Sequence, residues 1–153
     1  MQENKSHLTA ITRKTASLPM KWLSSQDLLV PFMLDYGCGK GFDAEAFDMM
    51  KYDPHYTEGK IMYKDRVIIN QKFKTITCNY VLNVIESQDE REAVLEHIRH
   101  LLHVDGKAYI SIRRDPHVVE GYTSKGTYQS AVELDLPVVH EAKGKYIIYL
   151  LEK

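Results

Sequence analysis

The stretch from Met33 to Asp43 reads M-L-D-Y-G-C-G-K-G-F-D and is the most informative pattern in the chain. Its apolar run ends in an acid, Asp35, and glycines follow at alternate positions, Gly37, Gly39 and Gly41. The apolar run predicts a buried strand, and the glycines allow a sharp turn that brings the backbone close to a ligand. The acid lies at the carboxyl end of the strand, where open α/β sheets bind ligands. The stretch therefore predicts an α/β fold with a binding site at this turn.

The spacing of the glycines excludes two common phosphate-binding motifs. The dinucleotide fingerprint G-x-G-x-x-G requires a third glycine at a position that holds Phe42. A P-loop requires Ser or Thr after its lysine, but Gly41 follows Lys40. The turn is therefore expected to bind a ligand of another kind.

The rest of the chain alternates between strand-like and helix-like patterns. Ser87 and Glu90 form a capping box before an apolar stripe at helical spacing, and Gly106 is expected to end that helix. Ser17-Leu18-Pro19 predicts another helix start. A short helix is expected over residues 43–49. Strands are expected over residues 30–36, 49–53, 60–70, 73–80, 107–113, 137–141 and 145–151.

Composition limits the class of protein. The chain has 153 residues, 44% apolar and 27% charged, which suits one globular domain over residues 1–153. Its formal net charge of −1 argues against a broad nucleic-acid-binding surface but not against a local basic patch. We expect no membrane segment and no signal peptide, and two reduced cysteines in a cytoplasmic protein. Residues 1–29 form a basic segment with a helix that caps the sheet, and Trp22, Leu23, Leu28 and Leu29 are expected to cover the sheet's edge.

The acid-x-G-x-G-x-G motif after a strand resembles the first motif of class I S-adenosylmethionine-dependent methyltransferases. Together with T-A-I-T-R-K, Y-D-P-H-Y, N-Y-V-L-N-V-I-E and I-R-R-D, it is similar to small bacterial and phage putative methyltransferases associated with DNA phosphorothioation. The resemblance spans about residues 9–128. It implies a Rossmann-like sheet, mostly parallel with an antiparallel C-terminal hairpin, and thin helical layers.

The resemblance also implies S-adenosylmethionine as cofactor. Asp53 lies 53 − 35 = 18 positions after Asp35, at the end of the second strand, where an acid can accept hydrogen bonds from ribose hydroxyls. The alternative is a turn-forming Asp before proline. The full set of expected cofactor-binding residues is Asp35, Tyr36, Gly37, Gly39, Gly41, Asp53, Pro54 and Cys78.

Asn79 and Tyr80 are the candidate catalytic residues, because this strand end faces the methyl group in the fold that the resemblance implies. Amino-directed nucleic-acid methyltransferases usually have Pro-Pro and an aromatic residue after the acid or Asn, and this chain has Tyr80-Val81 instead. Asn79 could orient an acceptor and Tyr80 could stack on a base, or Asn79 could cap the strand and Tyr80 belong to the core. Cys78 as a nucleophile is less favoured than Cys78 as a small buried side chain.

Substrate contacts are expected from Arg113, Arg114, Tyr128 and Gln129. One of the two arginines is expected to reach an anion, and the other to pair or point to solvent, because consecutive strand residues face opposite sides. Residues 121–130 could form a mobile lid or a plain surface loop. The helix histidines are three residues apart, so we expect no metal site.

These patterns predict an S-adenosylmethionine-dependent methyltransferase with nucleic acid as the methyl acceptor. Two alternatives stay open: a small-molecule methyltransferase, and a non-catalytic cofactor-binding partner of a larger modification complex. A homodimer is also compatible with the thin helical layer.

Overall fold

A computed structural model describes residues 14–114 and 132–153, together with the backbone of residues 121–122 and 128–129. The helices are α1 (Leu18–Ser25), α2 (Phe42–Ala46) and α3 (Gln88–Leu101), and a 3-10 turn spans Leu82–Val84. The strands are β1 (Met33–Tyr36), β2 (Met50–Tyr52), β3 (Met62–Tyr63), β4 (Arg66–Val67), β5 (Phe73–Asn79), β6 (Leu102–Arg113), β7 (Gly121–Tyr122), β8 (Tyr128–Gln129), β9 (Val138–Ala142) and β10 (Tyr146–Glu152).

Eight strands form one sheet in the order β4-β3-β2-β1-β5-β6-β10-β9. The central strands β2, β1, β5 and β6 are parallel, and β10 runs antiparallel between β6 and β9. The predicted mixed sheet, mostly parallel with an antiparallel C-terminal hairpin, is confirmed. β7 and β8 pair separately as a short antiparallel ribbon.

Two hydrophobic clusters cover the two faces of the sheet. One lies between the sheet and α3 and includes Leu34, Ile76, Ile110 and Ile98. The other joins the sheet to α1 and α2 through Met20, Leu23, Ala44 and Ile148, with Trp22, Leu28 and Leu29 packed against it. Since side chains alternate along a strand, β1 and β6 supply residues to both clusters: Leu34 and Ile110 to the first, Met33 and Tyr109 to the second.

The helix starts follow the sequence signals. Pro19 lies in the first turn of α1, and the Ser87 side chain accepts a hydrogen bond from the Glu90 N–H at the start of α3. In the described ranges, no helix is both long enough and apolar enough to cross a bilayer.

Three sequence expectations were wrong in detail. The strand expected at residues 60–70 is a hairpin of two-residue strands at the sheet edge, because the chain reverses at Lys64, which has a φ of +54°. β1 begins at Met33, three residues later than expected.

Gly106 does not end α3, which stops at Leu101 and continues directly into β6. Gly106 lies inside β6, where a Cβ atom would be 2.5 Å from the carbonyl oxygen of Phe73. The pairing of β5 with β6 shifts register between Phe73 and Thr75. The glycine therefore serves the close approach of two strands rather than a helix end.

Candidate functional site

The glycine turn lies at the carboxyl end of β1, next to the ends of β2 and β5. Gly37, Gly39 and Gly41 all have positive φ angles, of 76°, 55° and 86°. The N–H groups of Gly37 and Cys38 both donate to the carbonyl oxygen of Tyr52, at 2.7 and 3.0 Å. The turn is therefore folded back against the end of β2, and its backbone forms one wall of the site.

The side chain of Asp53 links this turn to the segment after β2 through hydrogen bonds. Its Oδ2 accepts a hydrogen bond of 3.0 Å from the Gly39 N–H. Its Oδ1 accepts bonds of 2.8 and 3.0 Å from the N–H groups of His55 and Tyr56. Asp53 is 8% exposed, and these three bonds offset the cost of burying its charge. Asp53 therefore forms a turn, which was the second alternative, and it also contacts the glycine turn; its contact with a ribose stays a prediction.

Asp35 is buried beneath the turn and accepts a 3.0 Å hydrogen bond from the hydroxyl of Thr77 on β5. Its register neighbour on β2 is Lys51, whose Nζ lies 3.8 Å from where a Cβ on Gly41 would be. Burial raises the pKa of the Cys38 thiol, and the charges of Asp35 and Asp53 raise it further. The Cys38 side chain is therefore a neutral thiol in an acidic surrounding.

Tyr36 and Cys78 do not present their side chains to this site. Both belong to the core under α3, where the Tyr36 hydroxyl lies 2.7 Å from Nδ1 of His97. The pKa of Tyr36 is raised by burial and by Tyr52, and the pKa of Cys78 is raised by burial and by Asp35. The side chains of these two residues lie in the core, and their expected contacts with a cofactor stay predictions. The burial of Cys78 favours a small core side chain over a nucleophile at this position. Pro54 is exposed beside Asp53.

Asn79 and Tyr80 end β5 beside Ser111 of β6. The Ser111 hydroxyl donates a 2.8 Å hydrogen bond to Oδ1 of Asn79, and the Ser111 carbonyl accepts one of 3.0 Å from the Tyr80 N–H. Tyr80 has a φ of +61°, which is uncommon for a bulky residue and is typical of functional sites. Nδ2 of Asn79 is buried and has no hydrogen-bond partner among the described residues. Ser111, completely buried, is a site residue that the sequence analysis missed.

The two arginines at the end of β6 differ in role. The Arg114 guanidinium donates to the carbonyl of Val132 at 2.6 Å and to the Tyr149 hydroxyl at 3.2 Å. Arg114 therefore anchors the chain where it returns to the sheet. Arg113 lies on the same face of β6 as Ser111, which is paired in register with Asn79. The substrate contacts expected of the two arginines stay predictions.

A second missed feature joins the glycine turn to α1. Asp43, at the start of α2, accepts hydrogen bonds from the Ser17 N–H at 3.0 Å and from the Ser17 hydroxyl at 2.7 Å. Both residues are buried. The sequence analysis did not predict this pair, because local sequence patterns do not relate residues that are 26 positions apart.

Two substrate predictions, the side chains of Tyr128 and Gln129, lie outside the described residues, as does the rest of the expected lid. The backbone of these two residues forms β8. In residues 14–114 and 132–153, no group of three or more His, Cys, Asp or Glu side chains could hold a metal ion.

Comparison with known proteins gives a fold but no family. No protein-family model matches the chain, and no curated protein matches it. Among solved structures, a DhpI–SAH complex is similar with a TM-score of 0.54 and 12% identity, covering 86% of this chain and 85% of DhpI. The glycopeptide N-methyltransferase MtfA is similar with a TM-score of 0.50 and 10% identity, covering 88% of this chain and 72% of MtfA.

The chain also matches PKMT2 from Rickettsia typhi at 24% identity with a TM-score of 0.40, covering 55% of this chain. The match spans only 21% of the length of PKMT2. The likeness to DhpI and MtfA shows that the chain has the class I methyltransferase fold.

Proposed function

We propose that this chain is an S-adenosylmethionine-dependent methyltransferase. The observation that carries the proposal is the hydrogen bond from the Gly39 N–H to Asp53, which joins the acid expected to bind the ribose to the glycine turn. The shared fold supports it, since MtfA is a methyltransferase that has also been solved with S-adenosylhomocysteine and DhpI was solved as an SAH complex.

Asp53 has limited capacity for a further ligand. Each carboxylate oxygen accepts about two hydrogen bonds, and Oδ1 already accepts two. Oδ2 accepts one, from Gly39, and so can take one ribose hydroxyl without releasing the turn. The same carboxylate would then both hold the ribose and keep the glycine backbone in place behind it.

The remaining residues would bind and orient. The bound cofactor supplies a methyl group on a positively charged sulfur. The buried carboxylate of Asp35 places a negative charge beneath the glycine turn, where a cationic ligand is favoured. Asn79 and Tyr80, at the next strand end, would position the acceptor in line with the methyl group, and such positioning supplies much of the rate of a transfer reaction.

For the acceptor class we propose nucleic acid, on the basic N-terminal segment, on Arg113 and on the resemblance to phosphorothioation-associated methyltransferases. Arg114 no longer supports this proposal, because its guanidinium is engaged within the fold. A small-molecule acceptor is the second candidate, favoured by the net charge of −1.

The cofactor proposal is tested by calorimetric titration of S-adenosylmethionine into wild type and Asp53→Asn. The substitution removes the negative charge and changes the hydrogen-bonding pattern with little change of shape, so we expect affinity to fall about 10-fold or more, equivalent to about 1.4 kcal/mol. Asp65→Asn, in the exposed β3–β4 turn, is the matched control and is expected to bind as wild type. Wild-type affinity in Asp53→Asn, with an unchanged circular dichroism spectrum, would remove Asp53 from the cofactor site.

The acceptor is identified by transfer of labelled methyl into a whole-cell extract, followed by nuclease treatment, protease treatment and size separation. Nuclease-sensitive label supports a nucleic-acid acceptor, and label in the small-molecule fraction supports the second candidate. Tight cofactor binding without transfer would favour a non-catalytic subunit of a modification complex instead.

A further inference from the structure

The hydrogen bonds of Asn79 bear on which atom of the acceptor receives the methyl group. Ser111 is completely buried, and its hydroxyl proton needs an acceptor. Oδ1 of Asn79, at 2.8 Å, is that acceptor. With the amide turned the other way, the Ser111 proton would lose this partner, so the serine fixes the orientation of the Asn79 amide.

The unmet requirement at Asn79 is therefore for a hydrogen-bond acceptor. Its Oδ1 is already satisfied by Ser111, whereas Nδ2 is buried without a partner among the described residues. A buried donor left unpaired is costly, and a ligand oxygen that meets it recovers that cost. Asn79 lies at the carboxyl end of β5, the edge at which ligands bind in this fold.

Because Nδ2 of Asn79 donates this hydrogen bond, the contact favours an oxygen over an amine as the methyl acceptor. An amine has one lone pair, and a hydrogen bond donated to it would occupy the electrons that must attack the methyl carbon. An ionised oxygen has three lone pairs, so it can accept a bond from Nδ2 and attack with another. Ser111 also holds the backbone of the next residue, Tyr80. The Tyr80 N–H donates a 3.0 Å hydrogen bond to the Ser111 carbonyl, and Tyr80 has a left-handed backbone conformation.

We propose that the methyl acceptor is an ionised oxygen, a carboxylate or phenolate, held by Nδ2 of Asn79, and that Ser111 is the positioning residue that turns the amide toward it. This inference rests on the proposed methyltransferase function and favours its second candidate, a small-molecule acceptor, because nucleic acids contain neither carboxylates nor phenolates. In the transfer, the oxygen–carbon bond forms as the carbon–sulfur bond breaks, and the bonding pair moves to sulfur, which becomes a neutral thioether. An ionised oxygen has no proton to lose, so the step needs no general base.

The test uses S-adenosylmethionine with a labelled methyl group, a whole-cell extract and the full chain. Hydriodic acid releases methyl groups bonded to oxygen as volatile methyl iodide, under conditions that leave N-methyl groups in place. We expect the label in the volatile fraction. Label that stays with nitrogen would overturn the inference while leaving the methyltransferase function standing, and absence of transfer by wild type would remove both.

Two variants test the residues. Asn79→Asp replaces the donor with a negatively charged acceptor of the same shape, and we expect transfer to fall at least 10-fold with cofactor affinity within about twofold of wild type. An amine acceptor predicts the opposite, because a carboxylate accepts amine N–H bonds. A loss of cofactor affinity in Asn79→Asp would mean that Nδ2 meets the cofactor, and would also overturn the inference.

Ser111→Ala frees the amide to rotate, so we expect kcat to fall several-fold without a change in KM for S-adenosylmethionine. Ser111→Thr retains the hydroxyl and is expected to restore kcat. A purely structural role for Ser111 predicts a lower melting temperature with unchanged kcat, which would contradict its positioning role.

Discussion

At the scale of single residues, close backbone approach explains which side chains the glycine turn permits. A Cβ on Gly37 would lie 2.4 Å from Cγ2 of Val81, so the turn or the Val81 side chain would have to shift to admit it. Gly37 also has a φ of +76°, a conformation that L side chains rarely adopt. Two separate constraints, one of backbone angle and one of space, thus require glycine at this position.

Gly37→Ala is expected to lower the free energy of unfolding by about 2 to 4 kcal/mol, the sum of a strained φ and an overpacked contact. Val81→Ala introduced into the Gly37→Ala background removes the clash but not the strain, so we expect it to recover part of the loss. Urea unfolding of the two single variants and the double variant measures both contributions. Strictly additive losses would mean that Val81 is not what excludes the side chain.

At the scale of elements, α1 and α2 are joined end to end by one buried carboxylate. Asp43 accepts hydrogen bonds from both the N–H and the hydroxyl of Ser17, the N-cap residue of α1. A carboxylate at a helix N-terminus accepts a hydrogen bond from a backbone N–H and interacts favourably with the positive end of the helix dipole. Helix α1 is thereby fixed to α2, the helix that follows the glycine turn.

Ser17→Ala and Asp43→Asn are each expected to destabilise the protein, and their effects are expected to be less than additive. The coupling energy from a double-mutant cycle should be about 1 to 2 kcal/mol, because both single changes disrupt the same charge-assisted bond from the Ser17 hydroxyl to Asp43. Ser24→Ala, on the exposed side of α1, is the control and should change stability little. A coupling energy near zero would mean that the two residues stabilise their helices independently.

At the scale of the whole molecule, α3 is fastened to the sheet by an aromatic cluster behind the glycine turn. The ring of His97 meets Tyr36 and Tyr52 edge to face, with centroid distances of 5.4 and 5.3 Å. Burial lowers the pKa of His97, and the neighbouring His100 lowers it further. The folded protein therefore favours neutral His97.

This shift makes stability depend on pH. Because the pKa of His97 is lower in the folded chain than in the unfolded chain, the unfolded chain binds more protons once the pH falls through about 6.5. The contribution of His97 is thus fully present above that pH and is lost as the pH falls toward the folded pKa. Urea midpoints of wild type and His97→Gln between about pH 8 and 5 measure it, and we expect a shallower acid-side decline in the variant.

His100→Gln is the companion variant, since removing one cause of the shift should remove part of the pH dependence. Identical pH profiles for wild type and His97→Gln would show that other groups govern the acid-side loss of stability.

Sequence analysis predicted the elements that depend on short-range patterns. The strand before Asp35, the glycines, the acid at Asp53 and the capping box at Ser87 are short-range patterns, and the structure has the corresponding strand, turn and helix start. The antiparallel direction of the C-terminal hairpin was expected from the resemblance, and the antiparallel pairing of β10 with β6 and β9 confirms it.

Contacts between residues on different strands and helices could be seen in the tertiary structure but not in the sequence. Ser111 meets Asn79, Asp43 meets Ser17, Arg114 meets Val132 and Gly106 meets Phe73, over separations of 32, 26, 18 and 33 positions in the chain. Local propensity contains no information about which distant residue a strand brings alongside, because register is set by how the apolar faces of all strands pack together. For that reason the sequence analysis identified Asn79 as a candidate residue, whereas the hydrogen bond from Ser111 to Asn79 was found in the structure.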